Sequence, residues 1–177
     1  MAEWSIAYNR MMDSEDAPRA YRKVPDCAPR GVAGPCFAIS GINSAVFPRE
    51  FAAIAACEQA KRGALVEAFY CSHFWNAWLE RMKSDEVAAR VFDYGVNAGQ
   101  GTAVRALQQA LNARAGIAHL AEDGRWGEQT LAAANAAEEH ALVAAFVEVR
   151  VEHYRRIASS DAGKAQYLAA WVARARR

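Results

Sequence analysis

Among the residues of this 177-residue sequence that can do acid–base chemistry, Glu15 stands where a carboxyl group is most easily put to use. Trp4, Ile6, Tyr8, Met11 and Met12 recur at helical spacing, Pro18 follows, and the pattern predicts a first helix that ends near Glu15. A carboxyl group at the junction of a helix and an irregular segment can have one apolar wall, which raises its pKa, and one side open to substrate. Such a group can protonate a leaving oxygen, the step that glycoside hydrolysis requires, and a second carboxylate usually supplies the nucleophile or activates water. Taken alone, Glu15 fits an ordinary exposed helix end equally well. A second set of groups lies further on: Asp93, Asn97 and Gln100 fall at i, i+4 and i+7 and form one polar stripe, with Tyr94 beside it. On an otherwise apolar helix such a stripe faces either solvent or a ligand groove.

The elements that position these groups are mainly α-helical. Residues 16–43 contain Pro18, Pro25, Pro29 and Pro35 and read as a long irregular segment with room for short strands. A loop of that length in a compact domain is usually functional. Pro48 suits a first helical position, with Phe47 and Phe51 spaced as an apolar staple, and predicts a helix to about Lys61 that Gly63 stops. Leu65, Phe69, Trp75, Trp78 and Met82 predict one core-facing helix over 64–82. Ser84 or Asp85 caps a helix over 85–98 that buries Val87, Val91, Phe92 and Val96 and ends at Gly99-Gln100-Gly101. Thr102 starts a short helix, 128–158 reads as a helix or a broken pair, and a last helix covers 162–175. Strand-like alternation is scarce, which sets the fold class as mainly α.

Twenty-one basic against twenty acidic residues give a net charge of +1, so no overall field draws the chain onto nucleic acid or anionic lipid. Neither nucleic acid nor membrane insertion is expected, since no run approaches the roughly 20 apolar residues of a membrane span. Met1-Ala2-Glu3-Trp4-Ser5 lacks the basic region and apolar run of a signal peptide, so synthesis in the cytoplasm without one is expected. Cys27, Cys36, Cys57 and Cys71 and the four histidines show no zinc-ligand spacing, so neither a metal nor a cofactor is expected. Cys27 and Cys36 flank a Pro/Gly-rich loop and fit either a disulfide or two free thiols. The chain is expected to be a monomer.

Four blocks carry more information in combination. Gly41-Ile42-Asn43 runs into Ser44-Ala45-Val46-Phe47-Pro48. Phe69-Tyr70 is followed by Phe74-Trp75. Phe92-Asp93-Tyr94-Gly95-Val96-Asn97-Ala98-Gly99 continues into Ala103-Val104-Arg105-Ala106-Leu107-Gln108. Asp123-Gly124-Arg125-Trp126-Gly127-Glu128-Gln129-Thr130-Leu131 comes last. In this order the blocks resemble the glycoside hydrolase family 108 lysozymes, the phage-endolysin and secretion-associated N-acetylmuramidases. They are similar to that family's Gly-Ile-Ser/Thr turn, its Tyr-x-x-x-Tyr-Trp helix, its Phe-Asp-x-x-Val-Asn-x-Gly helix and its Asp-Gly-x-x-Gly-x-x-Thr-Leu turn. The resemblance implies a lysozyme-like helical catalytic part over 1–115 and a peptidoglycan-binding-like helical part over 116–177 packed on it as one compact unit. It implies a bacteriolytic hydrolase that cleaves the β-1,4 bond between N-acetylmuramic acid and N-acetylglucosamine. Such an enzyme acts in the periplasm or cell wall after release by a holin or an exporter.

Carried over by position, the family's catalytic Glu falls on Glu15. There the family reads Glu-Gly-Gly-Tyr, whereas this chain reads Glu15-Asp16-Ala17-Pro18. The family's following Asp-Pro-x-Asp-x-Gly-Gly-x-Thr-x-Tyr is reduced to Pro25-Asp26 and Gly34-Pro35, with Ser40 in the Tyr place before Gly41. Asp26 is a candidate second carboxylate, and Asp13, Asp16 or the substrate's own acetamido group are alternatives. The resemblance also implies a substrate groove over the 85–100 helix, with Asp93, Tyr94, Asn97 and Gln100 as binding residues and Tyr94 stacking on a sugar. The altered segment after Glu15 supports a different reading, a lapsed enzyme that binds peptidoglycan or a protein partner without cleaving.

Overall fold

A computed structural model describes residues 1–26, 34–114 and 119–177. The chain forms two compact units, Trp4–Asn76 and the segment Ala77–Arg177 joined by Met1–Glu3. The fold is mainly α, with ten α-helices and one three-stranded sheet among the described residues.

The N-terminal unit opens with α1 (Trp4–Glu15), which buries Ala7, Tyr8, Met11 and Met12 along one face. The irregular segment contains β1 (Lys23–Asp26), β2 (Cys36–Ile39) and β3 (Ile42–Asn43), an antiparallel meander in that order. Lys23 pairs with Ile39 and Asp26 with Cys36, while Ala38 pairs with Asn43 on the other side. β1 is exposed throughout and carries Lys23 and Pro25, as an unprotected sheet edge commonly does. β2 supplies the buried Cys36, Ala38 and Ile39. Cys27 lies outside the described residues, and the Cys27–Cys36 pairing with it.

Pro48 does open a helix, α2 (Pro48–Ala56), but α2 ends at Cys57, whose backbone is extended. A 3-10 turn at Gln59–Lys61 then leads into α3 (Arg62–Phe74). Gly63 does not stop a helix as expected; it lies in the first turn of α3, where a Cβ would come within 3.2 Å of the Tyr21 ring. Close packing of that ring is therefore what the glycine serves. The single helix expected over 64–82 is broken as well, because Trp75 turns to an extended ψ of 135°.

The C-terminal unit contains α4 (Ala77–Glu80), α5 (Asp85–Ala98), α6 (Gln100–Asn112), α7 (Glu128–Ala136), α8 (Glu139–Ser160), α9 (Ala162–Ala165) and α10 (Leu168–Arg176). Ser84 caps α5 by accepting a hydrogen bond from the Val87 N–H at 3.0 Å, and Glu138 caps α8 through the N–H groups of His140 and Ala141. Val87, Val91, Phe92, Leu107, Leu111, Leu131, Leu142, Phe146 and Val151 form the core, while Val96, expected inside, is half-buried. α5 and α6 are tied to α8 and α10 within this unit by packing and by a buried ion cluster. No helix among the described residues is long and apolar enough to cross a membrane.

Candidate functional site

Glu15 follows Met11 and Met12 by four and three residues, so it extends the buried face of α1 and turns inward at the helix end. It is half-buried, and its carboxylate lies against the Cα of Gly41 in the turn between β2 and β3. A side chain at position 41 would overlap Glu15 Oε2 and would stand 2.8 Å from the Tyr70 hydroxyl oxygen. The carboxylate and a phenol from α3 thus converge on one backbone atom. Gly41 is needed twice over, for that approach and for its φ of +80°. Tyr70 is 2% exposed and donates its hydroxyl proton to the Ser40 carbonyl at 2.6 Å, which pins the turn.

Asp16 is the next group. Its Oδ2 accepts from Ser40 Oγ at 2.7 Å and from the Tyr21 N–H at 2.7 Å, and its Oδ1 accepts from the Ala20 N–H at 3.1 Å. Burial pulls this carboxyl upward, but the bonds from Ser40, Tyr21 and Ala20 and the Arg19 guanidinium together hold it below the ordinary Asp value. Arg19, Tyr21 and Ser40 are the non-glycine residues with positive φ among the described ones, at 52°, 50° and 48°. All three bond to Asp16 or its backbone. Asp13, one of the alternative second carboxylates, is ion-paired to Arg19 at 2.8 Å. Asp26 is exposed at the end of β1 and accepts from Asn43 Nδ2 at 2.7 Å. Asp26 thereby reaches Asn43 on β3, the strand that follows Gly41, while its backbone pairs with Cys36 at the end of β2 away from the Gly41 turn.

The stripe on α5 is placed differently from expectation. Asp93 is 3% exposed and buried beneath two guanidinium groups: Arg150 donates to Oδ2 at 2.6 Å, and Arg174 to Oδ1 at 2.7 and 3.0 Å. Tyr94 is fully buried, with its ring under the Arg150 guanidinium at 4.7 Å and its hydroxyl bonded to His153 Nδ1. Asp93 belongs to the interior of the C-terminal unit, whereas Tyr94, though buried, borders a hollow of about 240 Å³ with Thr102, Arg105, His153 and Arg156. Asn97 is exposed and accepts from the Tyr154 hydroxyl at 2.6 Å. Gln100 leaves the stripe altogether, because Gly99 with φ +91° breaks the helix and Gln100 starts α6. Burial pushes the Tyr94 hydroxyl up, and burial and then Arg156 push His153 down. The phenol therefore keeps its proton and the imidazole is held toward its neutral form.

Residues 102–176 match a family model described as "Predicted Peptidoglycan domain". The fold is similar to that of SagA from Brucella abortus, with a TM-score of 0.62 and 19% identity over 97% of this chain and 92% of that chain. No curated protein matches the sequence. The matched segment covers α6 to α10 and so most of the C-terminal unit, while Glu15, Asp16 and Asp26 lie outside it.

Sequence reasoning missed several of these participants. Tyr70 enters the sequence reading only within the Phe69-Tyr70 block and with no role of its own, and only its hydroxyl, buried and therefore in need of a partner, hints at its place beside Glu15. Arg150 and Arg174, which neutralise Asp93, stand 57 and 81 residues away from it in sequence. A lone arginine on an apolar helix is the one available hint that a buried acid waits elsewhere.

Proposed function

We propose that the chain is a peptidoglycan muramidase in which Glu15 is the general acid for cleavage between N-acetylmuramic acid and N-acetylglucosamine. The observation that carries the reading is the half-buried Glu15 carboxylate held against Gly41 beside the Tyr70 hydroxyl. A carboxyl group so confined can deliver a proton to a glycosidic oxygen brought to the hairpin, and Asp26, oriented by Asn43, is the candidate for the second role. The similarity of residues 102–176 to a peptidoglycan domain supports the same substrate. The enzyme would act as a monomer in the periplasm or wall, after release by a holin or an exporter.

The test adds purified protein to chloroform-permeabilised Gram-negative cells and follows turbidity together with released reducing ends. Clearing that Glu15→Gln abolishes is the expected result. A flat trace at micromolar protein, with retention on insoluble peptidoglycan, would replace this reading by glycan binding without cleavage. One observation favours that second reading: strained non-glycine residues, Arg19 and Tyr21, occupy the segment after Glu15.

A further inference from the structure

Two adjoining hollows open on the C-terminal unit, bordered by Tyr94, Asn97 and His153 described above. The larger, about 350 Å³, is walled by Asn97, Thr102, His153, Lys164 and Trp171. The smaller, about 240 Å³, shares Thr102 and His153 with it and adds Tyr94, Arg105, Gln109 and Arg156. Together they have the size of a small-molecule site.

Their lining has three properties that select a ligand. The first is a row of rings: Trp171 stacks on the buried Tyr154 at 5.4 Å and 28°, and Tyr167 flanks Trp171 at 5.8 Å. Trp171 is half-buried and supported from behind, so its open part is a rigid flat surface for another ring. The second is a pair of outward polar groups. Asn97 Oδ1 is taken by the Tyr154 hydroxyl, which leaves the exposed amide nitrogen to donate. His153 Nδ1 is taken by the Tyr94 hydroxyl, which leaves Nε2 for a ligand. The third is charge: Arg105, Arg156 and Lys164 line the hollows and no Asp or Glu does. Arg105 is bonded to the carbonyls of Glu122 and Asp123, and its charge also acts on the Glu122 carboxylate, which does not line the hollow. Among the described residues Arg156 has no acidic partner, and Lys164 has Asp161 at 3.5 Å on the exposed surface. α6 also begins here, at Gly99, with no side-chain cap on its positive end.

We infer that these hollows bind an acidic N-acetylated saccharide, an N-acetylmuramic acid unit with its pyranose on Trp171 and its lactyl-peptide carboxylates toward Lys164, Arg156 and Arg105. The choice of saccharide rests on the peptidoglycan reading above; the demand for a ring, hydrogen-bond acceptors and negative charge does not. The site is separate from Glu15 and holds the polymer without acting on it.

Calorimetric titration of the full chain with muramyl dipeptide tests the inference, with the neutral N,N′-diacetylchitobiose as comparison. Muramyl dipeptide should bind at least about tenfold more tightly than the neutral sugar. The double substitution Arg156→Glu and Lys164→Glu, both on exposed side chains, should weaken muramyl dipeptide by about tenfold or more and leave the melting temperature unchanged. Trp171→Ala should weaken both sugars. Glu15→Gln should lose reducing-end release and keep wild-type affinity for muramyl dipeptide, so failure of the lytic reading and failure of this one are separately visible. Absence of binding at millimolar muramyl dipeptide, equal affinity for the neutral sugar, or indifference to the charge reversal would overturn the inference. So would a preference for a short single-stranded oligonucleotide.

Discussion

Replacing Asp93 by Asn decides whether the α5 carboxylate is an internal counterion or a substrate ligand. In the fold its side chain is 5% exposed, and those of Arg150 and Arg174 are 2% and 13% exposed. The amide keeps the shape of the carboxylate and removes its charge, so two guanidinium groups are left facing each other with their counterion gone. Breaking a buried pair in this way costs about 3–5 kcal/mol. In a chain of this length each kcal/mol moves the melting temperature by about 2–4 °C, which gives a fall of about 6–20 °C. The loss extends further, because Arg150 also donates to the Tyr154 hydroxyl at 3.2 Å and that hydroxyl donates to Asn97. Circular dichroism melts of wild type and Asp93→Asn, with reducing-end release measured below the transition, separate the possibilities. A variant that melts within about 2 °C of wild type and no longer acts on peptidoglycan would refute the counterion argument and return Asp93 to a substrate groove.

Glu15→Gln should lower reducing-end release by about 10²- to 10⁴-fold with no change in fold, and unchanged release would move the acid role to Asp16 or Asp26. Gly41→Ala should approach the same loss, since its Cβ would displace the Glu15 carboxylate at a backbone φ of +80°; activity near wild type would show that the Glu15–Gly41 contact is dispensable. Asn97→Ala removes the acceptor of a buried tyrosine hydroxyl and should cost about 1–3 kcal/mol in a thermal melt, whereas a wild-type melting temperature would show that bond to be idle. For Asp16 the folded value lies below the ordinary 3.8, so its stabilisation is present above that pH and lost as pH falls through the lowered value. Wild type should therefore lose stability more steeply than Asp16→Asn between about pH 4 and pH 2, and parallel acid transitions would contradict this.

Helical periodicity made α1 and α5 legible because each carries its own end signal, Pro18 after α1 and the Ser84 cap and Gly99 around α5. The break at Trp75 carries no such signal, since neither Pro nor Gly stands between Gly63 and Gly95 and the apolar spacing continues across it. Gly63 shows the reverse error, a glycine read as punctuation that instead makes room for Tyr21. Two features of the α5 stripe were not legible in the sequence. Counting positions past Gly99 assumed a helix that a positive φ had already ended, and periodicity reports which residues share a face but not whether an arginine from elsewhere covers it. The position of Glu15 at a helix end was readable, while its contact with Gly41 across 26 residues was not.

The segment after Glu15 departs from the resembling family in its lack of glycines, and Asp16 provides a physical account of how the chain manages without them. Two glycines would adopt left-handed conformations at little cost. Here those conformations fall on Arg19 and Tyr21, with Ser40 opposite, and each such residue carries about 1–3 kcal/mol of strain. Hydrogen bonds to an ionised carboxylate contribute about 1.5–3 kcal/mol apiece, and Asp16 accepts three, from Ser40, Tyr21 and Ala20. The two effects are of the same order, so the carboxylate suffices to hold the strained turn. Because one of those bonds comes from Ser40, the residue before Gly41, the group that fixes the segment behind Glu15 also fixes the turn in front of it. A substitution at Asp16 that restored only the family's small residue would release the strain and the turn together, and leave Glu15 less firmly held than before.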